Sequence, residues 1–271
     1  MHRTTSTSHV PRKRFGQHFL HDPGILRKIV QAIAPKPGEN LLEIGPGEGA
    51  LTLPLLRELG RMTAIELDRD LVPRLRAAAE GVGTLDIVNA DVLTIDLSTF
   101  AASGPLRIVG NLPYNISSPI LFHCIEHIDA IRDMHFMLQK EVVERMAAAP
   151  GSKVYGRLSV MLQLVCRVDP LLRVPAGAFR PPPKVESAVV RLTPRAPAER
   201  HFTDAALLAR IVRAAFGQRR KTLANALRDL ADAEKISDAG VDPRARAEQL
   251  APAAFVALAE TIGGKPLADD G

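Results

Sequence analysis

The stretch Leu41-Leu42-Glu43-Ile44-Gly45-Pro46-Gly47-Glu48-Gly49 leaves few choices for what this chain can fold into. An apolar run short enough for one buried strand breaks into three alternating glycines and then turns helical, the pattern of strand, tight loop and helix. Gly45, Gly47 and Gly49 remove side chains where the backbone must turn sharply, so a ligand can reach main-chain N–H groups at the start of the helix. The loop lacks the Gly-Lys-Ser/Thr ending of a phosphate-cradling loop, and its spacing is not the Gly-x-Gly-x-x-Gly of dinucleotide folds. Glu43, just ahead of the glycines, would repel a phosphate but suits a cofactor that carries an amino group and a sulfonium. The spacing therefore points to S-adenosylmethionine and away from nucleoside triphosphates and NAD.

Downstream residues repeat the logic at successive strand ends. Met62 to Leu67 reads as a second strand, with Glu66 about twenty residues beyond the glycines, where an acidic side chain can accept both ribose hydroxyls. Asp86 to Val88 reads as a short third strand running into Asn89-Ala90-Asp91, and Asp91 can accept from the exocyclic amine of an adenine. Gly45, Glu66 and Asp91 thus fit a ligand laid across the carboxyl edge of a parallel sheet.

A fourth strand, Arg107 to Val109, delivers Gly110-Asn111-Leu112-Pro113-Tyr114 to the same edge. Pro113 fixes its own φ and biases Leu112 away from helix, so carbonyls there can point outward. The Asn111 amide oxygen and the Leu112 carbonyl offer two acceptors for one NH₂ group, and Tyr114 offers a stacking face for a flat base. Such a pair would favour the pyramidal geometry that frees an aromatic amine's lone pair.

Around this centre, Asp22 and Pro23 open a helix with Ile25, Leu26, Ile29, Val30 and Ile33 on one face. Helices are expected over Leu71 to Ala79, Ser117 to Glu126 and Glu141 to Ala148, with a strand over Met134 to Leu138. Tyr155 to Gln163 begins as helix. Ala178-Phe179-Arg180-Pro181-Pro182-Pro183-Lys184 reads as a stiff extended loop that exposes Phe179 for base stacking, followed by a strand over Val185 to Leu192. Past the proline- and alanine-rich 194–200 the pattern is helical, over Ala205 to Phe216, Arg219 to Leu230 and Ala253 to Ile262. Gln218-Arg219-Arg220-Lys221 would place cations at a helix start, which suggests an external anion.

These readings give a disordered basic arm over residues 1–14 with Arg12-Lys13-Arg14, a Rossmann-like α/β methyltransferase domain over 15–195 and a small all-helical RNA-binding domain over 200–265. A net charge of +5 leans toward a polyanionic partner. Cys124 and Cys166 are isolated thiols without metal-ligand spacing, so a reducing, cytosolic setting and no metal site are expected. The polar first ten residues contain no apolar leader segment.

With these pieces in order, the chain resembles the bacterial small-subunit (16S) ribosomal RNA adenine N6,N6-dimethyltransferases, over about residues 11 to 260. The resemblance rests on Gly16-Gln17-His18-Phe19-Leu20, the glycine loop, Asn111-Leu112-Pro113-Tyr114, Phe179-Arg180-Pro181-Pro182-Pro183-Lys184-Val185 and Gln218-Arg219-Arg220-Lys221. It implies cofactor contacts at His18, Leu20, Gly45, Glu66, Asp91 and Asn111, and a target adenine held by Asn111, Leu112, Tyr114 and Phe179. It also implies RNA contacts at Arg219, Arg220 and Lys221, no metal, a monomer, 16S rRNA as the partner in the small subunit, and no DNA or membrane partner. Many relatives carry Asn where His18 stands. The competing families are the 23S rRNA adenine methyltransferases of macrolide resistance and a non-catalytic RNA-binding assembly factor; Glu66, Asp91 and the intact Asn111 corner argue for catalysis.

Overall fold

A computed structural model describes residues 18–200, 202, 204–218 and 220–264. The basic arm and Arg219 lie outside the described residues. In chain order the elements are β1 (Phe19–Leu20), α1 (Pro23–Ile33), β2 (Leu41–Ile44), α2 (Thr52–Leu59), β3 (Arg61–Glu66), α3 (Val72–Ala79), β4 (Thr84–Asn89), β5 (Leu106–Asn111) and α4 (Ser117–Glu126). They continue with β6 (Ile131–Gln139), α5 (Lys140–Met146), α6 (Arg157–Val165), β7 (Cys166–Val174), β8 (Phe179–Arg180), β9 (Ser187–Pro194), α7 (Ala205–Gly217), α8 (Leu223–Ala226), α9 (Ala233–Asp238) and α10 (Pro252–Ile262). Seven strands form one sheet in the order β4-β3-β2-β5-β6-β9-β7, and β1 pairs antiparallel with β8.

The chain divides into two compact units that do not follow a single cut near 194–200. One holds the described residues up to Cys124 together with His135–Lys140 and Leu171–Val189; the other holds Ile125–Met134, Glu141–Pro170 and the described residues from Val190 onward.

In the first unit, β2 pairs in parallel with both β3 and β5, and β3 with β4. All four residues of β2 are buried, as expected for a strand covered on both faces of a parallel sheet. The strand order reverses direction at β2, which places a crevice at the carboxyl ends of β2 and β5. Helix α1 is opened by the Asp22 carboxylate, which accepts from Gly24 N (2.8 Å) and Ile25 N (2.9 Å). Its far end meets the buried Arg107 guanidinium, which donates to Ile33 O at 2.6 Å and pairs with Glu39 at 2.6 Å. A cation at a helix C-terminus satisfies carbonyls the helix leaves open. The apolar core gathers Ile29 and Ile33 of α1, Leu55 and Leu59 of α2, and Leu20, Phe179 and Val189.

In the second unit, α10 packs against α6, α7 and α9. Tyr155 stands edge-on to Phe216 at 5.9 Å, Phe216 meets Phe255 at 5.7 Å, and the Tyr155 hydroxyl donates to Leu250 O at 2.9 Å.

One expectation needs correction, and two elements add to the pattern. β7 is absent from the sequence-based pattern because Asp169-Pro170 interrupts it; it is the terminal strand of the sheet, where a residue without an N–H is tolerated. The helix expected over Arg219 to Leu230 is only α8, which starts after an extended Thr222, so the described Gln218, Arg220 and Lys221 precede the helix, with Lys221 N donating to Gln218 O. Asp232 then caps α9 by accepting from Lys235 N, a helix that the apolar periodicity does not announce.

Candidate active site

The carboxyl ends of the four parallel strands set four groups in a row. In sheet order these are Asp91 just past β4, Glu66 ending β3, Gly45 just past β2, and Asn111 ending β5. They line one cavity of about 270 Å³ together with His18, Leu20, Leu112 and Tyr114. Eight of the residues singled out from the sequence are therefore brought together. Phe179 is not among them.

The loop between β2 and α2 works as its glycines require. Gly45, Gly47 and Gly49 have φ of +69°, +58° and +85°, a region that side-chain-bearing residues rarely enter. A Cβ on Gly47 would also lie 2.9 Å from the Phe19 ring, and one on Gly49 2.8 Å from Leu75. The loop is pinned to the neighbouring strand by Gly45 N donating to Ile65 O and by Gly47 N donating to Glu66 Oε2 at 3.0 Å.

Glu66 accepts a second bond from Asp68 N at 2.8 Å, and Asn89 Nδ2 donates to Glu66 O at 2.7 Å. Burial raises the Glu66 carboxyl, the bonds from Asp68 N and Gly47 N pulling the other way. Each carboxylate oxygen has lone pairs beyond the one already used, so Glu66 can still take two hydroxyls from the cavity. Asp91 accepts from Leu93 N at 3.0 Å and so faces the end of β4 in a fixed pose.

Glu43 is 2% exposed, lines the cavity, and its Oε2 has no hydrogen-bond partner; nor does the Thr52 hydroxyl. Burial pushes its carboxyl up to about 7, the Glu66 charge adding to the rise. Among the described residues the lining has five carboxylates, Glu43, Glu48, Glu66, Asp68 and Asp91, and no lysine or arginine. Such a wall repels phosphate and attracts a cation.

At the other end of the row, Asn111 Nδ2 donates to His18 O at 2.9 Å. That leaves Oδ1 as the free acceptor of the amide. Leu112 N is held by Met137 O at 3.1 Å. The Tyr114 and Ser187 hydroxyls share a hydrogen bond of 2.7 Å. The His18 ring stacks on Tyr114 with centroids 5.6 Å apart and planes at 27°, and its Nδ1 lies 2.7 Å from Pro181 O.

Phe179 corrects the sequence reading: it is 1% exposed and belongs to the apolar core, paired through β8 with Leu20 of β1. A lone aromatic beside prolines reads as an exposed face, whereas β1 covers it. Asp68 and His135 line the cavity and Ser187 bonds Tyr114 from outside it; the sequence motifs single out none of the three. A histidine in the apolar run of β6 is a usable signal for His135, which is buried and lines the cavity; nothing local to Ser187 announces its link to Tyr114.

The parallel sheet, the glycine loop and the carboxylate row that ends at an asparagine corner define a Rossmann-like methyltransferase dependent on S-adenosylmethionine. The family model for ribosomal RNA adenine dimethylase matches residues 8–263. The ribosomal RNA small subunit methyltransferase A of Xanthomonas campestris pv. campestris is 58% identical over 255 residues, covering 94% of this chain and 97% of that protein. A crystal structure of a dimethyladenosine transferase from Plasmodium falciparum superposes with a TM-score of 0.75 at 28% identity, covering 89% of this chain and 96% of that one. The 23S rRNA methyltransferase ErmE gives 0.68, also at 28% identity, with 90% and 99% covered. The chain belongs to the ribosomal RNA adenine dimethylase family.

Proposed function

We propose that this protein dimethylates N6 of two adjacent adenines near the 3′ end of 16S rRNA in the small ribosomal subunit, acting in the cytoplasm as a monomer, with neither DNA nor membrane as a partner. The observation that carries the chemistry is the row itself: a cation-attracting wall of carboxylates ending at an amide acceptor and an aromatic face. The small-subunit target is favoured over 23S rRNA by the 58% identity to a protein named for the small subunit, against 28% to ErmE. Residues 15–195 carry the methyltransferase role and 200–265 the RNA-binding role, a division of function that does not coincide with the two compact units. No described helix is long and apolar enough to cross a membrane.

The residues present fit the cofactor: Glu66 can hold the ribose hydroxyls, Asp91 the adenine amine, Gly45, His18 and Leu20 the walls, and the Glu43 carboxyl, whose Oε2 has no hydrogen-bond partner, meets its positive charge. Bound there, S-adenosylmethionine supplies an electrophilic methyl group. The protein's own task is to orient the acceptor. The Asn111 Oδ1 and the Leu112 carbonyl accept the two hydrogens of the adenine N6 amine, and the Tyr114 ring stacks the base, which must leave its RNA stack to arrive. Orientation lowers the barrier by removing the entropy of encounter, and the displaced proton passes to water. Sandwiching of the base by Phe179 is set aside because that ring is buried.

The reading is tested on immature small subunits with labelled cofactor, followed by mapping of the modified bases. Label in two adjacent dimethyladenines is the expected result, and label elsewhere in 16S rRNA, none at all, or label only in free 23S rRNA offered in a parallel reaction overturns it. Asn111→Ala should slow both transfers by about 2 kcal/mol or more of barrier, the scale for one preorganised polar contact. Near-parental single-turnover rates would remove Asn111 from the mechanism.

A further inference from the structure

Tyr114 is half-buried, and its phenol is held by a side chain to which no role has been given. Ser187, the first residue of β9, is fully buried and does not line the cavity. The hydrogen bond its hydroxyl makes is the 2.7 Å bond to the Tyr114 hydroxyl. Burial raises the Tyr114 phenol while the Ser187 bond pulls the other way, so the ring stays neutral and hydrogen-bonded. A buried tyrosine hydroxyl needs such a partner, and removing one side leaves the other unsatisfied.

The other side of the arrangement is the His18 ring. Its 5.6 Å centroid separation from Tyr114 is less than the about 7 Å that a third flat ring between them would need, twice the van der Waals spacing. A base must therefore meet Tyr114 on its other face or take the place of His18. In either case the Tyr114 plane has to be fixed beforehand, because a ring free to rotate about χ1 and χ2 forfeits part of the stacking free energy on ordering.

We propose that Ser187 is a positioning residue for adenine capture, acting through the Tyr114 hydroxyl alone. This rests on the reading of Tyr114 as the stacking face for the target base. Ser187 touches neither cofactor nor base; it sets the plane onto which the base settles.

The test is a double-mutant cycle on small-subunit particles with Ser187→Ala, Tyr114→Phe and the two combined, and with cofactor affinity by calorimetry and the thermal midpoint as controls. Each single variant should lower kcat/KM by about tenfold, mainly through KM for the particle. The combined variant should fall no further than either single one, since both cut the same bond. Cofactor affinity should stay within about twofold of the parent. Parental kcat/KM in Ser187→Ala, or losses that multiply in the combined variant, overturns the proposal. Where Ser187→Ala fails to fold, Ser187→Cys takes its place in the same cycle, with a smaller loss expected from its weaker donor. Tyr114→Ala separates the two levels: full activity there overturns the stacking reading itself, whereas loss there with none in Ser187→Ala and Tyr114→Phe overturns only the role of Ser187.

Discussion

A carboxyl buried in a cavity that takes a cation must titrate with its ligand. Glu43 stands at about 7 in the folded chain against an ordinary 4.5, so between those values the folded state holds a proton that the unfolded state has lost. The stability this gives is full below about 4.5 and fades as pH rises through about 7. The shift corresponds to about 3 kcal/mol at most. Binding of a cationic cofactor favours the ionised form, so affinity for S-adenosylmethionine should rise with pH through about 7. Glu43→Gln should flatten both trends in thermal scans and calorimetry, and a pH dependence identical to the parent would show that another group sets it. The single residues that sequence reading brings to one cavity are those whose place in the chain follows from a motif. Glu66 and Asn111 end their strands, Glu43 is one residue short of the end of β2 and Asp91 lies two residues past β4, and strand ends can be read from apolar runs. Phe179 cannot be placed that way: its burial depends on β1, 159 positions earlier in the chain.

At the scale of elements, the close passage of β5 beside the end of β2 makes a sharp demand. A Cβ on Gly110 would lie 2.6 Å from the Ile44 carbonyl oxygen and 3.0 Å from Leu112 Cδ2. Backbone cannot give way there without moving both the glycine loop and the asparagine corner. Gly110→Ala should therefore lower stability by about 1–3 kcal/mol and weaken cofactor binding with it, as thermal melts with and without cofactor would report. An unchanged midpoint would show that the two strands can separate freely. The strands around the cofactor edge are legible because each combines an apolar run with a chemically marked end. β7 is hidden by Pro170, which argues against a strand unless the strand is known to be terminal, a fact of sheet order and not of local sequence. The shortening of α8 has a local cause in Thr222, whose extended backbone delays the helix, and with it the expected placing of cations at a helix start disappears.

At the scale of the whole molecule, Arg220 and Lys221 remain exposed in the turn before α8. Replacing both by Ala should weaken association with RNA and flatten the slope of log affinity against log salt by about 1 for every phosphate no longer neutralised, with cofactor affinity unchanged. The parental slope in that variant would mark them as ordinary solvated cations. The two-part organisation is visible in the sequence as a change of composition near residue 194, but its interleaving is not, since compact units that exchange segments leave no compositional seam. The bonds that shape the methyl-transfer corner span 73 residues from Tyr114 to Ser187, 93 from His18 to Asn111 and 163 from His18 to Pro181. A chain growing from its N-terminus holds the glycine loop, Glu66 and Asp91 within its first hundred residues, yet must reach Ser187 before Tyr114 is anchored. Contacts between such distant segments form late, because loop closure must be met before they reward it. On the roles proposed for Tyr114 and Ser187, the corner that holds the base is therefore complete only after about two-thirds of the length has been made, as is the stretch of cavity wall that Val189 supplies.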